Sequence, residues 1–258
     1  MPPLTKELLP NGVLWLTMDR PEVRNAFDDH QIERLTQAIE AAAVDEQVRV
    51  LVLASKGKHF CAGGDLNYMR RMGTMDYEEN FADAQKLARL MYVLNFFPKP
   101  TIIRVQGAAF GGGVGLISCG DIVIGSPFAK LSLSEVKIGM VPATIAPYVI
   151  KAIGQRAARR LFLTGELIEA KKGLDLGFLS EIVELEHLDQ RVQEIADQII
   201  QNAPQALAKA KKIIFDIGEH AIDDQMIQYT CEVIAKARNS AEGKEGLSAF
   251  LEKRKPNW

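Results

Sequence analysis

The sequence predicts an α/β fold, with a core of strand–helix turns followed by a helical C-terminal region. Apolar, β-branched runs of strand length alternate with helically periodic segments over the first 183 residues. Two glycine-bearing loops each directly follow such a run. Beyond Val183 the apolar residues recur almost only at helical spacing.

Taken in order, residues 12–18 (GVLWLTM) read as a buried strand and DRPEVRNA as a turn. Residues 28–43 place Ile32, Leu35, Ile39 and Ala43 on one helical face, with Asp28 or Asp29 as cap. Residues 48–54 (VRVLVLA) form a second strand, and KGKHFCAGGD a connection. The segment from Leu66 to about Phe97 reads as helical with a mixed pattern, a candidate lid. Residues 101–105 (TIIRV) form a third strand, which runs into GAAFGGGVGLISCG, a turn expected to open a helix. Residues 121–125 and 130–136 read as short strands, and 188–202, 205–217, 221–237 and 243–253 as helices. The expected division is a core over 1–195 and a helical oligomerisation region over 196–258, with no internal sequence repeat.

Composition narrows the function classes. Of 258 residues, 47% are hydrophobic and 25% charged, which is ordinary globular usage. A formal net charge of -2 points to neither nucleic acid nor a membrane surface. Cys61, Cys119 and Cys231 are odd in number and widely spaced, which reads as reduced thiols. His30, His59, His187 and His220 stand too far apart to suggest a metal site. The polar, Pro-rich start MPPLTKELLPNG resembles neither a signal nor a transit peptide, and no apolar run approaches a membrane span. The expectation is a cytoplasmic protein without metal or cofactor.

The segment GAAFGGGVG, residues 107–115, is the loudest local signal. No Lys-Ser or Lys-Thr follows it, so a P-loop fails, and Leu116 breaks the dinucleotide pattern G-x-G-x-x-G. Glycines for close helix packing remain a structural reading. The chemical reading is that a Gly-rich turn opening a helix presents backbone N–H groups at the positive end of the helix dipole. Such groups suit an oxygen that gains negative charge during reaction. FCAGGDL, residues 60–66, supplies a second loop of this kind.

Together CAGGD (61–65), GAAFGGGVG (107–115) and SEVKIGMVP (134–142), with the start GVLWLTMDRPEVRNAF and the end AFLEKRKPNW, resemble the crotonase (enoyl-CoA hydratase/isomerase) superfamily. The likeness runs the length of the chain. It implies a spiral of repeated ββα turns with C-terminal helices that trimerise, sometimes into hexamers, and acyl-CoA thioester substrates. It also implies an oxyanion hole from the N–H groups of Gly64 and Gly112. Arg24 and Ala26, with Ala62 and Asp65, would bind substrate. Phe250 and Lys253 would reach coenzyme A, often from a neighbouring subunit. A solvated helix face is the competing reading of Lys253. Helix capping is the competing reading of Asp65 and Asn67, and core packing that of Tyr68 and Tyr148.

Hydratases of this family use two glutamates. The second matches Glu135, whereas Gly115 stands in place of the first, and Ala143, Thr144 and Ile145 replace a usual Gly-rich stretch. The apolar neighbours of Glu135 predict a raised carboxylate pKa and proton exchange near neutral pH. Hydration of a 2-enoyl thioester and 3,2-enoyl isomerisation are both within reach of one carboxylate. The run 111–160 is similar to bacterial methylglutaconyl-CoA and carboxygeranoyl-CoA hydratases, which places hydration first and a branched acyl chain with it. A non-catalytic CoA-thioester-binding protein is the third reading. Cys61 and Cys119 read as small buried apolar residues.

Overall fold

The structure, a computed structural model, describes residues 3–218 and 220–258. The first turn contains β1 (Leu4–Leu8), β2 (Val13–Met18) and α1 (Asp29–Val44); the second contains β3 (Val50–Ser55), α2 (Leu66–Met72) and α3 (Tyr77–Asn95). The third contains β4 (Thr101–Val105), β5 (Ala109–Phe110) and α4 (Gly112–Ser118). Then follow β6 (Ile122–Gly125), β7 (Lys130–Ser132), α5 (Ala146–Thr164), β8 (Ile168–Glu169), α6 (Ala170–Leu176) and β9 (Glu181–Ile182). The chain closes with α7 (Leu188–Ile200), α8 (Pro204–Ile217), α9 (Asp224–Asn239) and α10 (Ala241–Glu252).

The larger sheet has the order β1-β2-β3-β4-β6-β9, parallel except for β1 against β2. Its inner strands β3, β4 and β6 read as largely apolar runs because both faces are covered. Leu14, Leu16, Leu51, Leu53, Ile103 and Val105 point into the main core. The alternate residues Val13, Val50, Val52, Ile102 and Ile124 meet Leu188, Val192 and Ala196 of α7 on the other face. Helix α7 therefore closes the sheet, and the 195/196 boundary falls within it.

A second layer positions the site. β5 pairs with β7, and β7 with β8. Isolated bridges Phe27↔Gly64 and Cys61↔Ala109 extend this layer backwards. Each turn thus contributes a strand to the large sheet, a short paired segment to the second layer, and then a helix. Gly64, Gly112 and Glu135 each stand just past the short segment of successive turns, so the spiral brings them to one edge.

Two sequence readings change, and two elements stand where none was read. Residues 4–8 form a strand; the alternating, half-polar LTKEL is an edge strand paired antiparallel with β2, Leu4 opposite Met18 and Leu8 opposite Leu14. The stretch from Leu66 to Phe97 is two helices, because Asp76 starts a new one through a reciprocal capping box with Glu79. Its second half is no lid, since Leu90, Met91 and Leu94 are fully buried. The strand expected over 130–136 ends at Ser132, and Glu135 begins a 3-10 turn, Glu135–Ile138, closed by left-handed Gly139. Finally, α5 lies in a stretch where no helix is expected, its pattern interrupted at Gly154 (φ 75°).

Candidate active site

The site starts from Phe27. Its N–H donates to Gly63 O at 2.7 Å and its carbonyl accepts from Asp65 N–H at 2.7 Å, while Ala62 N–H donates to Arg24 O at 3.0 Å. These bonds engage the N–H groups of Ala62 and Asp65. The N–H of Gly64, between them, meets no acceptor among the described residues. On the opposite side, Phe110 N–H donates to Cys61 O at 2.9 Å and Gly111 N–H to Ser132 O at 3.0 Å. Gly111 takes φ 49° to turn the chain into α4, so Gly112 is the first residue of that helix. Its N–H has no intrahelical acceptor and stands at the positive end of the helix, where Gly112 lines the cleft.

Glycine is required here by close approach. A Cβ on Gly112 would lie 2.8 Å from Cε2 of Phe27, and one on Gly111 3.0 Å from Oε1 of Glu135. Phe27 therefore fixes one loop through its backbone and the other through its ring.

Glu135 is half-buried. Its Oε2 is buried and without a hydrogen-bond partner among the described residues. Burial holds its pKa above the usual carboxylate value, opposed by a backbone hydrogen bond. One unpaired carboxyl oxygen beside two unengaged N–H groups makes a proton-transfer group next to an anion-stabilising pair.

These groups share a cleft of about 330 Å³, which Phe27, Ala62, Gly63, Gly64, Gly112 and Glu135 help to line. A larger cavity between Trp15 and Asp189 lies elsewhere, and none of its residues is among these. Of the other sequence candidates, Asp65 caps α2, accepting from Asn67 and Tyr68 N–H. Arg24 sits in the left-handed region at φ 56° and contributes its carbonyl to the Ala62 bond. Ala26 is buried beneath it. Phe250 and Lys253 stand at the far end of α10; Phe250 is 79% exposed and borders a groove between α8, α9 and α10. Within one chain they are not brought to the cleft.

Tyr68 lines the cleft, whereas Tyr148 packs against the core. Cys61 and Cys119 are buried. Burial pushes the Cys61 thiol up to about 12 and that of Cys119 further in the same direction, so neither is a nucleophile. Among the described residues no group of three or more His, Cys, Asp or Glu is placed to hold a metal.

The sequence reading missed Asp83. It is buried in the cleft wall and accepts the hydroxyl of Tyr68. A polar residue on the apolar face of a helix was the available signal.

Gly115 explains itself here. A Cβ at that position would lie 2.3 Å from Cγ2 of Ile145 and 3.0 Å from Sδ of Met91. The volume that a glutamate would need is filled by an isoleucine from the stretch 143–145, where glycines are usual in the family this chain resembles.

The Enoyl-CoA hydratase/isomerase family model matches residues 9–258. Over 99% of its length the chain superposes on an enoyl-CoA hydratase from Shewanella pealeana, at a TM-score of 0.96 and 46% identity, covering 96% of that chain. A Legionella pneumophila chain assigned to the enoyl-CoA hydratase/isomerase (crotonase) group gives 0.95 and 42%, covering 99% and 98%. In Escherichia coli, a 2,3-dehydroadipyl-CoA hydratase and a 1,2-epoxyphenylacetyl-CoA isomerase are each 30% identical. They cover 95% and 96% of this chain, which spans 94% and 95% of theirs. With its spiral of ββα turns and C-terminal helices, this chain belongs to the enoyl-CoA hydratase/isomerase family and has the crotonase fold.

Proposed function

We propose that the protein is an enoyl-CoA hydratase, adding water across the 2,3-double bond of an acyl-CoA thioester. The observation that carries the reading is the buried, unpartnered Oε2 of Glu135 in the cleft that holds the free N–H groups of Gly64 and Gly112. The Glu135 carboxylate takes a proton from water as the water oxygen bonds to C3. The electrons of the C2=C3 bond move onto the thioester oxygen, which both N–H groups stabilise. The carboxyl then returns the proton to C2 as the enolate collapses, so one water is added and the carboxylate is regenerated. The Shewanella enzyme's name supports hydration. Met69, Met72 and Ala84 in the wall leave adaptable room for a branched chain.

The filled space at Gly115 favours a second reading. With no carboxylate there, Glu135 moves a proton from C2 to C4 of a 3-enoyl thioester, and a Streptococcus mutans relative named as a trans-2-decenoyl-[acyl-carrier-protein] isomerase supports this. Turnover in ¹⁸O-water separates the two. A hydratase places solvent oxygen at C3 of the product; rapid double-bond migration without oxygen incorporation on any 2-enoyl substrate overturns the hydratase reading.

The proposed assembly is a homotrimer or a hexamer of two trimers in the cytoplasm. Helices α8 and α9 bury no residue fully, and Ile214, Ile222, Leu247 and Phe250 stand exposed. An apolar surface of this extent calls for a partner.

A further inference from the structure

The cleft has a polar end that the proton chemistry of Glu135 leaves unused. The hydroxyl of Tyr68 donates to Asp83 Oδ2, and both residues are buried in the wall. They come from different helices, α2 and α3, so the contact exists only because those helices pack. Asp83 lies one helical turn before Leu87, whose Cδ1 is 4.0 Å from the Cβ position of Gly112. The pair thus stands one turn along α3 from the oxyanion donors.

A buried aspartate ordinarily has a cation or several donors around it. Here Tyr68 is the one donor to Asp83 among the described residues. Asn80 lines the cleft beside them and spends its Nδ2 on Met75 O at 3.0 Å and Asp76 O at 2.9 Å, leaving its Oδ1 without a donor. The tyrosine hydroxyl, its proton committed to Asp83, offers lone pairs. Burial and the neighbouring carboxylate push the Tyr68 pKa up, which keeps it neutral. The described lining contains no Lys or Arg. The nearby guanidinium of Arg71 lies 5.7 Å over the Tyr68 ring and is bound to Asp29 at 2.8 Å. Three acceptors and no lining cation are therefore left for whatever the acyl chain carries.

We infer that Tyr68, Asp83 and Asn80 form a specificity-determining anchor that takes a neutral hydrogen-bond donor, a hydroxyl on the acyl chain remote from C3, and rejects a chain ending in a carboxylate. The inference rests on the proposal that the cleft receives acyl-CoA. A hydroxyl donates to the Asp83 carboxylate in the cleft wall, a bond that a methyl cannot make. A terminal carboxylate meets a like charge with no cation to offset it.

The test uses unreactive saturated thioesters from butanoyl-CoA to octanoyl-CoA, each unsubstituted, ω-hydroxylated and ω-carboxylated, titrated calorimetrically into the full-length protein. At the length that reaches the anchor, the hydroxyl form binds about tenfold or more tightly than its parent, and the carboxylate form about tenfold or more weakly. Asp83→Asn shrinks both ratios toward one, whereas Tyr68→Phe, which frees the second acceptor oxygen of Asp83, keeps or enlarges them; the second variant carries the test if the first does not fold, and ratios that collapse in it overturn the inference. With the matching 2-enoyl thioesters as reactive substrates, the change appears in KM more than in kcat. The inference is overturned if no hydroxylated chain binds better than its parent at any length, or if a carboxylate form binds best. It is equally overturned if Asp83→Asn lowers kcat on every substrate with Kd unchanged, since the pair then serves the reacting water. Binding of the unsubstituted thioesters reports on the acyl-CoA reading by itself, so the two ideas fail separately.

Discussion

The Cγ2 of Ile145 lies 2.3 Å from where a Cβ on Gly115 would stand. The two residues share one volume, and a change at either is felt at the other. Gly115→Ala overpacks a fully buried helix face and is expected to destabilise the fold by about 1–3 kcal/mol. Adding Ile145→Ala relieves the overlap, so the double variant is more stable than the sum of the single effects predicts. Denaturant melts of the four proteins measure the coupling. Strict additivity would show that the close contact is not sustained in solution. A bare Gly115→Glu, by the same argument, is expected to disrupt packing rather than to add a catalytic carboxylate.

The second prediction separates the Gly64 donor from its side chain. A Cβ there would meet only the flexible Met69 side chain, Cγ at 3.1 Å and Sδ at 3.4 Å. Gly64→Ala keeps the N–H and is expected to retain most turnover. Gly64→Pro deletes the N–H and should lower kcat by about two to three orders of magnitude. Steady-state kinetics on a 2-enoyl-CoA, with circular dichroism to confirm folding, checks both. Equal activity in the two variants would remove Gly64 from the mechanism.

The third prediction concerns pH. Burial raises the pKa of Glu135 in the folded protein above its unfolded value. Below the unfolded value the group is protonated in both states and costs nothing. As pH rises through the folded pKa, the folded state must ionise a desolvated carboxyl and loses stability. Glu135→Gln is therefore expected to abolish turnover, to raise Tm at pH 7–8, and to leave Tm unchanged at acid pH. Wild-type activity, which needs the carboxylate, should fall on the acid side through an apparent pKa above the ordinary carboxylate range. A Tm gain that grows toward low pH would reverse the sign and refute the assignment.

The fourth concerns the thiols. Cys61 and Cys119 are buried with raised pKa values, whereas Cys231 is exposed on α9. At pH 8 at most one thiol per native chain should react with a disulfide reagent, rising to three in denaturant. Rapid labelling of Cys61 in the native protein would contradict the packing around the loop 60–66.

The fifth concerns assembly. Sedimentation at micromolar concentration should give a trimer or hexamer; a monomer would leave the apolar residues of α8–α10 unexplained.

The strands β2, β3 and β4 were legible because each is a mainly apolar run of strand length bounded by turn residues and largely buried. Asp28 capping α1 was legible from residue type and position. β1 was not, because an edge strand with charged residues has no apolar signature until its partner is known. Nor was α5, whose apolar pattern is interrupted at Gly154.

The sequence by itself determined two glycine loops after two strands, each a local signal readable along the chain, whereas Glu135, read within a strand over 130–136, was singled out only by the family resemblance. Only the tertiary structure decided that these three meet at one edge, because successive turns of the spiral stack their second-layer segments in register. It alone decided that Phe27 joins the two loops, that Ile145 occupies the space beside Gly115, and that Tyr68 and Asp83 share a buried hydrogen bond. These last relationships have no period and no spacing rule, because they arise where side chains from separate elements compete for the same volume or complete each other's hydrogen bonds.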